Sequence, residues 1–183
     1  YRYAIDNGFD VVVMLHGDGQ YAPERMEDLM EPVWQGKADH VFGSRMTGDP
    51  RGGGMPLHRY LGNRFLTTVE NWILGWNLSE YHSGYRIYTT KCLRAIPFEK
   101  CSDEYHFDSQ ILVQVRLAGI RVVERTIPTF YGSEKCYVPL VKYGIDVLKT
   151  MGDYLLHRLG WRTPAYMDFE GATTGKGVPA VIM

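Results

Sequence analysis

Cysteine is scarce in this sequence, and its three residues lie far apart. Cys92, Cys101 and Cys136 are odd in number among 183 residues, and none has the spacing of a metal-binding pair. The pattern argues against a disulfide framework and favours a reduced, cytoplasmic setting.

Long hydrophobic runs and an excess of charge are missing as well. No apolar stretch approaches the roughly 20 residues needed to cross a bilayer, and nothing resembles a signal peptide. The formal net charge of -1 argues against a protein built to bind nucleic acid. With 45% hydrophobic and 22% charged residues, the chain has the composition of one globular domain with its own core.

The most informative stretch runs from Phe9 to Tyr21 and reads FDVVVMLHGDGQY. Its apolar, β-branched run ends abruptly at a polar loop, which predicts a strand covered on both faces as in a parallel α/β sheet, although periodicity alone leaves a helix open. Open α/β sheets bind ligands beyond the carboxyl ends of their strands. Asp18, with Gln20 as a second oxygen donor, would suit Mg²⁺ or Mn²⁺ there. A Gly-Asp-Gly turn without a ligand is the alternative.

Further helices and strands follow this loop in alternation. Apolar spacing predicts helices from Pro23 to Gly36, over residues 57–74, from Asp108 to Gly119 and over residues 138–159, and strands over residues 38–43, 87–88 and 120–127. The last helix is amphipathic, and its apolar stripe either packs on the domain or contacts a membrane surface. We expect the domain to span residues 1–160 and residues 161–183 to form a flexible tail.

Two charged residues near helix starts have both a structural and a functional interpretation. Arg59 follows a glycine-rich segment, residues 47–56, and its guanidinium would match phosphate oxygens, but a solvated helix-face arginine is the usual case. Asp108 begins a helix and is either its N-terminal cap or a site residue.

Six stretches, taken in order, resemble the family 2 glycosyltransferases of GT-A fold. The branch is that of dolichyl-phosphate mannose synthase and related polyprenyl-phosphate sugar transferases, and the resemblance covers about Phe9 to Tyr131. It implies an α/β, Rossmann-like mixed sheet flanked by helices, and inverting, metal-dependent transfer from a nucleotide-sugar donor to a polyprenyl phosphate or a sugar hydroxyl. The stretches are VVVMLHGDGQYAPE, ADHVFGSRM, HRYLGNRFLT, SGYRIY, FDSQILVQVRLAG and VVERTIPTFY.

The resemblance assigns the acidic loop to an Asp-x-Asp type motif, which holds Mg²⁺ or Mn²⁺ and through it the donor's diphosphate. Asp18 matches the second Asp, and Gln20 matches the oxygen-bearing residue after it. His16 replaces the first Asp. It is either a ligand that suits Mn²⁺ better than Mg²⁺ or a hydrogen-bonding residue outside the metal's ligands.

The resemblance also implies a set of phosphate-binding residues. Arg45 and Arg59 are similar to the acceptor-side arginines of the family and would hold the acceptor's phosphate. Ser44, Arg86 and Lys135 are further candidates for contacts with the donor diphosphate or the acceptor phosphate. A polyprenyl phosphate places such an enzyme at the inner face of a membrane, with peripheral contact to it.

Catalytic roles depend on the acceptor. Asp18 and Arg45 would act on the leaving diphosphate and on the acceptor, respectively. A polyprenyl phosphate is already ionised and needs no general base, whereas a sugar hydroxyl needs one, and Asp108 or Glu80 is the candidate.

Family members begin with a strand and a loop of the type Pro-x-Tyr-Asn-Glu, followed by β-α units that hold the nucleotide base. This sequence contains none of them, so we expect an N-terminally truncated fragment that neither binds the base specifically nor catalyses transfer alone. Two other hypotheses stay open. One is a non-catalytic GT-A-like binding or scaffold domain with a decayed metal site, and the other is a nucleotidyltransferase.

Overall fold

A four-stranded mixed sheet forms the centre of the computed structural model, which describes residues 1–132 and 138–170. The order of strands in it is β1-β3-β2-β4. β3 runs antiparallel to both of its neighbours, and β2 runs parallel to β4. The strands are β1 (Val11–Leu15), β2 (His40–Ser44), β3 (Tyr85–Thr89) and β4 (Val122–Thr126).

Helices flank this sheet, which confirms the predicted mixed α/β architecture. The longest predicted internal helix, over residues 57–74, has the expected bounds, and Gly75 ends it in the left-handed conformation at φ 67°. Within the described residues the helices are α1 (Arg2–Asp6), α2 (Met26–Trp34), α3 (Leu57–Leu74), α4 (Thr90–Arg94), α5 (Phe107–Leu117) and α6 (Leu140–Arg158), with 3₁₀ turns at Pro23–Arg25, Phe98–Lys100 and Ala165–Met167.

Helices cover both faces of the sheet. Side chains alternate along each strand, so neighbouring residues of one strand pack against different helices. Ile87 of β3 packs with Leu29 of α2 on one face. The next residue, Tyr88, packs with Ile111 of α5 on the other. β2 lies between β3 and β4 in the interior of the sheet, and it is buried along its whole length.

β1 differs from its prediction in direction. All five of its residues are only half-buried, and it pairs antiparallel with β3, with Val13 opposite Ile87 and Leu15 opposite Tyr85. The expectation of a parallel strand is therefore wrong for β1, whereas both of its faces are covered: Val12 packs against the cluster on one face, and Val13 and Leu15 pack against the cluster on the other. A hydrophobic run indicates a strand with apolar side chains, but it does not determine which strands pair with it or in which direction.

The segment after α6 is packed where composition predicted a flexible tail. Tyr166 and Met167 are buried in the same cluster as Met151 of α6, and Gln114 Nε2 donates to the Tyr166 carbonyl oxygen at 2.7 Å. The prediction of a flexible tail is wrong for residues 161–170, because Tyr166 and Met167 of this otherwise polar segment pack into the core. Residues 171–183 lie outside the described part.

α6 covers the predicted last helix apart from a few terminal residues. Its inner side buries Val147, Met151 and Tyr154, while Val141 and Ile145 stay exposed. Among the residues that the structure describes, no helix combines the length and the apolar character needed to cross a bilayer.

Candidate active site

One cavity of about 230 Å³ collects most of the predicted site residues. It lies between the loop after β1, the residue after β2, the loop before β3 and the first turns of α3, α5 and α6. The chain folds so that separate motifs meet there. Its lining includes His16, Asp18, Gln20, Arg45, Arg59 and Asp108.

The loop after β1 presents an exposed carboxylate to this cavity. Asp18 is exposed, and its Oδ1 accepts the backbone N–H of Gln20 at 3.1 Å, which fixes a tight turn. Gln20 itself is buried at 7% exposure. The loop therefore holds Asp18 in place through its own backbone and leaves the second carboxylate oxygen available to a ligand.

His16 packs on a glycine that sequence reasoning did not use. A Cβ placed on Gly84 would lie 2.3 Å from His16 Nδ1, so only glycine leaves room for the imidazole in this position. The backbone N–H of Gly84 donates to the Tyr21 hydroxyl at 2.8 Å, and the Tyr21 ring meets His16 edge-on. A glycine often marks a position where another group approaches the backbone closely, so Gly84 in the SGYR stretch could have been singled out from sequence. The sequence alone does not show that the approaching group is His16.

The donor set of the loop fits a metal that is held largely by a ligand's phosphates. No group of three or more His, Cys, Asp and Glu side chains able to hold an ion occurs within residues 1–132 and 138–170. Mg²⁺ commonly binds through one or two carboxylates plus substrate phosphates and keeps several waters. Asp18, with His16 beside it, can supply that partial set.

Arg45 forms an ion pair with a buried carboxylate. It is 6% exposed, and both its backbone N–H and its guanidinium donate to the Glu80 carboxylate, which is fully buried. Asn63 Nδ2 donates to the same carboxylate at 2.8 Å, and Arg45 Nη1 donates to the Tyr131 hydroxyl at 3.2 Å. The positive charge of Arg45 is therefore matched inside the protein, although the side chain lines the cavity.

Glu80 is not placed to act as a base. Burial alone would raise the pKa of Glu80, but the charge and hydrogen bonds of Arg45 hold it below its usual value. A carboxylate held ionised by a buried arginine takes up a proton poorly. Of the two carboxylates considered from sequence for this role, Asp108 alone lines the cavity.

Asp108 and Arg86 form a second ion pair beneath the cavity. Arg86 Nε lies 3.5 Å from Asp108 Oδ1, and the arginine also donates to the carbonyl oxygens of Ser83 and Tyr81. Arg86 is fully buried, so the expectation that it binds phosphate directly is corrected. Asp108 is not an N-terminal cap, because that position belongs to His106, and its side chain remains 20% exposed.

Another predicted phosphate ligand, Ser44, does not line the cavity. Ser44 is fully buried, its hydroxyl lies 2.5 Å from that of Ser79, and it accepts the backbone N–H of Met46. The expectation of a direct phosphate contact is corrected for Ser44, whose bonds hold the end of β2. Lys135 lies outside the described residues. Arg59, half-buried in the first turn of α3, does line the cavity.

Comparisons with known proteins show similarity to glycosyltransferases in sequence and in fold. The sequence is 30% identical over 125 residues to an undecaprenyl-phosphate mannosyltransferase of Micrococcus luteus, covering 68% of this chain and 51% of that protein. It is 25% identical over 130 residues to a UDP-N-acetylglucosamine–dolichyl-phosphate N-acetylglucosaminyltransferase of Methanococcus voltae, covering 71% and 52%. Both relatives are named as transferases that act on a lipid-linked phosphate, and this chain is similar to them in sequence. It spans about half the length of these relatives, and no family model matches it.

A solved structure is similar to this chain in fold. Glucosyl-3-phosphoglycerate synthase of Mycobacterium tuberculosis, crystallised with Mn²⁺, uridine-diphosphate-glucose and glycerol 3-phosphate, superimposes with a TM-score of 0.57 at 17% identity. The match covers 84% of this chain and 51% of the synthase.

Proposed function

We propose that the protein transfers a sugar from a nucleotide-sugar donor to a polyprenyl phosphate, with inversion at the anomeric carbon and with the help of Mg²⁺ or Mn²⁺. The observation that supports this most is that Asp18, Arg59 and Asp108, which come from three distant motifs, line one cavity. The names of the relatives support the same donor and acceptor classes, because two of them act on lipid-linked phosphates.

The donor diphosphate would be held on the β1 side of the cavity. Asp18 is exposed there and would bind the metal together with the diphosphate oxygens, and His16 would bind the metal or a diphosphate oxygen. A divalent ion in that position neutralises charge on the leaving nucleoside diphosphate. The same ion would be delivered with the donor, since the loop alone supplies a partial ligand set.

The acceptor phosphate would lie on the α3 side. Arg59 would hold it, while Arg45, whose charge is matched by Glu80, orders the floor of the cavity and the Tyr131 hydroxyl. A phosphate oxygen is already ionised near neutral pH, so it attacks the anomeric carbon without a general base. Asp108 would serve as the base only with a hydroxyl acceptor.

A transfer assay tests the proposal. The protein expressed from the complete open reading frame that contains this sequence is incubated with radiolabelled nucleotide sugars, Mn²⁺ and polyprenyl phosphate. We expect label in the organic-solvent phase, an inverted anomeric configuration by NMR, and loss of transfer when EDTA removes the metal. Failure of every donor to label the lipid would refute the proposal.

Two other outcomes separate the alternatives. Release of pyrophosphate with transfer of a nucleotide would identify a nucleotidyltransferase. Absence of both transfer and metal-dependent binding of nucleoside diphosphates would favour a scaffold domain. This alternative is tested because His16 stands where the family's motif has its first Asp.

A further inference from the structure

The segment that leads into α5 presents an aromatic ring and a carboxylate to the cavity. Tyr105 lies in the turn before the helix, Asp108 lies in the first turn of the helix, and both line the cavity. Tyr105 is 53% exposed, so a large part of its ring is available to a ligand. Two groups of different chemistry, three positions apart in the chain, therefore border the same space.

Hydrogen bonds hold this segment in a defined position. The backbone N–H of Phe107 donates to the Glu104 carbonyl oxygen at 2.9 Å and closes the turn around Tyr105. The backbone N–H of Ser102 donates to Gln110 Oε1 at 2.7 Å and ties the start of the segment to α5. The ring of Tyr105 is thus presented by a turn that is bonded on both sides.

The carboxylate of Asp108 has a partner in charge but lacks one in hydrogen bonding. Its Oδ1 lies 3.5 Å from Arg86 Nε and accepts no hydrogen bond from the residues that the structure describes. Arg86 is fully buried, and a buried arginine needs a counter-charge, so the pair fixes Asp108 in place. Since Oδ1 is buried, Oδ2 is the oxygen that a ligand in the cavity can reach.

These two groups suit a sugar better than a phosphate. A carboxylate only accepts hydrogen bonds, and an ionised phosphate has no hydrogen to donate. The hydroxyl groups of a sugar donate to a carboxylate, and the C–H groups of its ring are apolar and pack on an aromatic face. In the proposed reaction the sugar also lies between the diphosphate on the β1 side and the acceptor phosphate on the α3 side.

We propose that Asp108 and Tyr105 form the subsite for the donor's sugar. Asp108 accepts a hydrogen bond from one of its hydroxyl groups, and Tyr105 packs against the C–H face of its ring. Both are specificity-determining residues, because a sugar that lacks this hydroxyl leaves the carboxylate without a donor. The inference rests on the proposed function, which supplies the nucleotide sugar, and it gives Asp108 a role that does not require a hydroxyl acceptor.

The first test uses the unchanged protein, expressed from the complete open reading frame, with Mn²⁺. Calorimetry identifies the tightest-binding donor among UDP-glucose, UDP-N-acetylglucosamine and GDP-mannose, and then measures analogues of it that each lack one sugar hydroxyl. We expect one analogue to bind at least about tenfold more weakly, because a hydrogen bond to a charged group is lost. In Asp108→Asn the same analogue is expected to lose much less relative to its parent.

The second test compares the nucleotide sugar with its nucleoside diphosphate. Asp108→Asn is expected to weaken binding of the nucleotide sugar about tenfold and Tyr105→Ala several-fold, while the nucleoside diphosphate binds as before. The controls are Asp103→Asn and Tyr3→Ala, two exposed residues outside the cavity lining. Thermal unfolding checks each variant. If Asp108→Asn does not fold without the counter-charge of Arg86, the hydroxyl analogues and Tyr105→Ala decide.

Three results would overturn the inference and leave the proposed function intact. One is a set of analogues that all bind as tightly as the parent nucleotide sugar. Another is an equal loss of nucleotide sugar and nucleoside diphosphate in the variants. The third is unchanged binding of the nucleotide sugar in both variants, which is expected if Asp108 acts only as a base. Absence of Mn²⁺-dependent binding of any nucleoside diphosphate would instead contradict the proposed function.

Discussion

The two walls of the cavity are built in different ways. The donor wall is the loop after β1, residues 16–20, where His16 and Asp18 are exposed and Asp18 accepts one hydrogen bond from its own loop. The acceptor wall comprises the cavity-lining residues of the loops after β2 and before β3 and of the first turns of α3, α5 and α6. Behind it lies Glu80, the buried partner of the cavity-lining Arg45.

The difference means that the two walls respond differently to substitution. Arg45 and Asp108 on the acceptor wall are held by opposite charges inside the protein, so their loss is expected to change stability as well as binding. Asp18 on the donor wall is exposed and accepts one hydrogen bond from its own loop, so its loss is expected to change ligand affinity and leave the fold intact.

Breaking the buried pair of the acceptor wall has the largest expected effect. Glu80→Ala leaves Arg45 buried without its counter-charge, which is expected to lower the free energy of unfolding by about 3–5 kcal/mol. Urea denaturation at neutral pH measures it. The control is Glu99→Ala, whose ion pair with Arg2 is exposed to solvent and is expected to contribute little to stability. A Glu80 variant no less stable than this control would show that the wall is not held by the pair.

Gly84 connects the two walls, and its substitution has the next largest effect. Gly84→Ala places a Cβ 2.3 Å from His16 Nδ1, so the ring has to move or the loop has to shift, at about 1–3 kcal/mol. Thermal unfolding of Gly84→Ala, His16→Ala and the double variant checks this. We expect most of the loss to disappear when both changes are combined, and additive losses would mean that the two residues do not compete for space.

On the donor wall, Asp18→Asn is expected to change binding alone. The affinity for Mn²⁺ with a nucleoside diphosphate is expected to fall at least about tenfold, since a metal contact is weakened. The free energy of unfolding is expected to stay constant, because the side chain is exposed. Calorimetry compares it with Asp103→Asn, an exposed aspartate that does not line the cavity. Equal affinity of the two variants would exclude Asp18 as a ligand.

A smaller effect follows from the charge of Glu80. Its pKa is lowered in the folded protein, chiefly because the charge of Arg45 outweighs the effect of burial. The stability it contributes is therefore complete above its unfolded pKa of about 4.3 and is lost as the pH falls through the lower folded value. Urea midpoints measured across that acidic range should decline for the unchanged chain and decline less for Glu80→Gln. Parallel declines would assign the acid sensitivity to other groups.

Sequence predicted the elements better than it predicted their neighbours. The helix over residues 57–74 was correct because its apolar spacing and Gly75 are local signals. The position of β1 at an edge was missed, since sheet order depends on contacts between distant segments. The roles of the arginines were the hardest to predict from sequence. Nothing in the sequence distinguishes the buried Arg86 from the cavity-lining Arg59, and burial decides whether an arginine has a structural or a binding role.

Kinetics of two variants in the transfer assay test the assignment of the walls most directly. Asp18→Asn and Arg59→Gln are compared in the protein expressed from the complete open reading frame, with donor and acceptor each varied in turn. The account predicts that Asp18→Asn raises KM for the nucleotide sugar and leaves KM for polyprenyl phosphate unchanged, and that Arg59→Gln does the reverse. If both variants raise KM for the same substrate, the cavity does not have separate donor and acceptor walls.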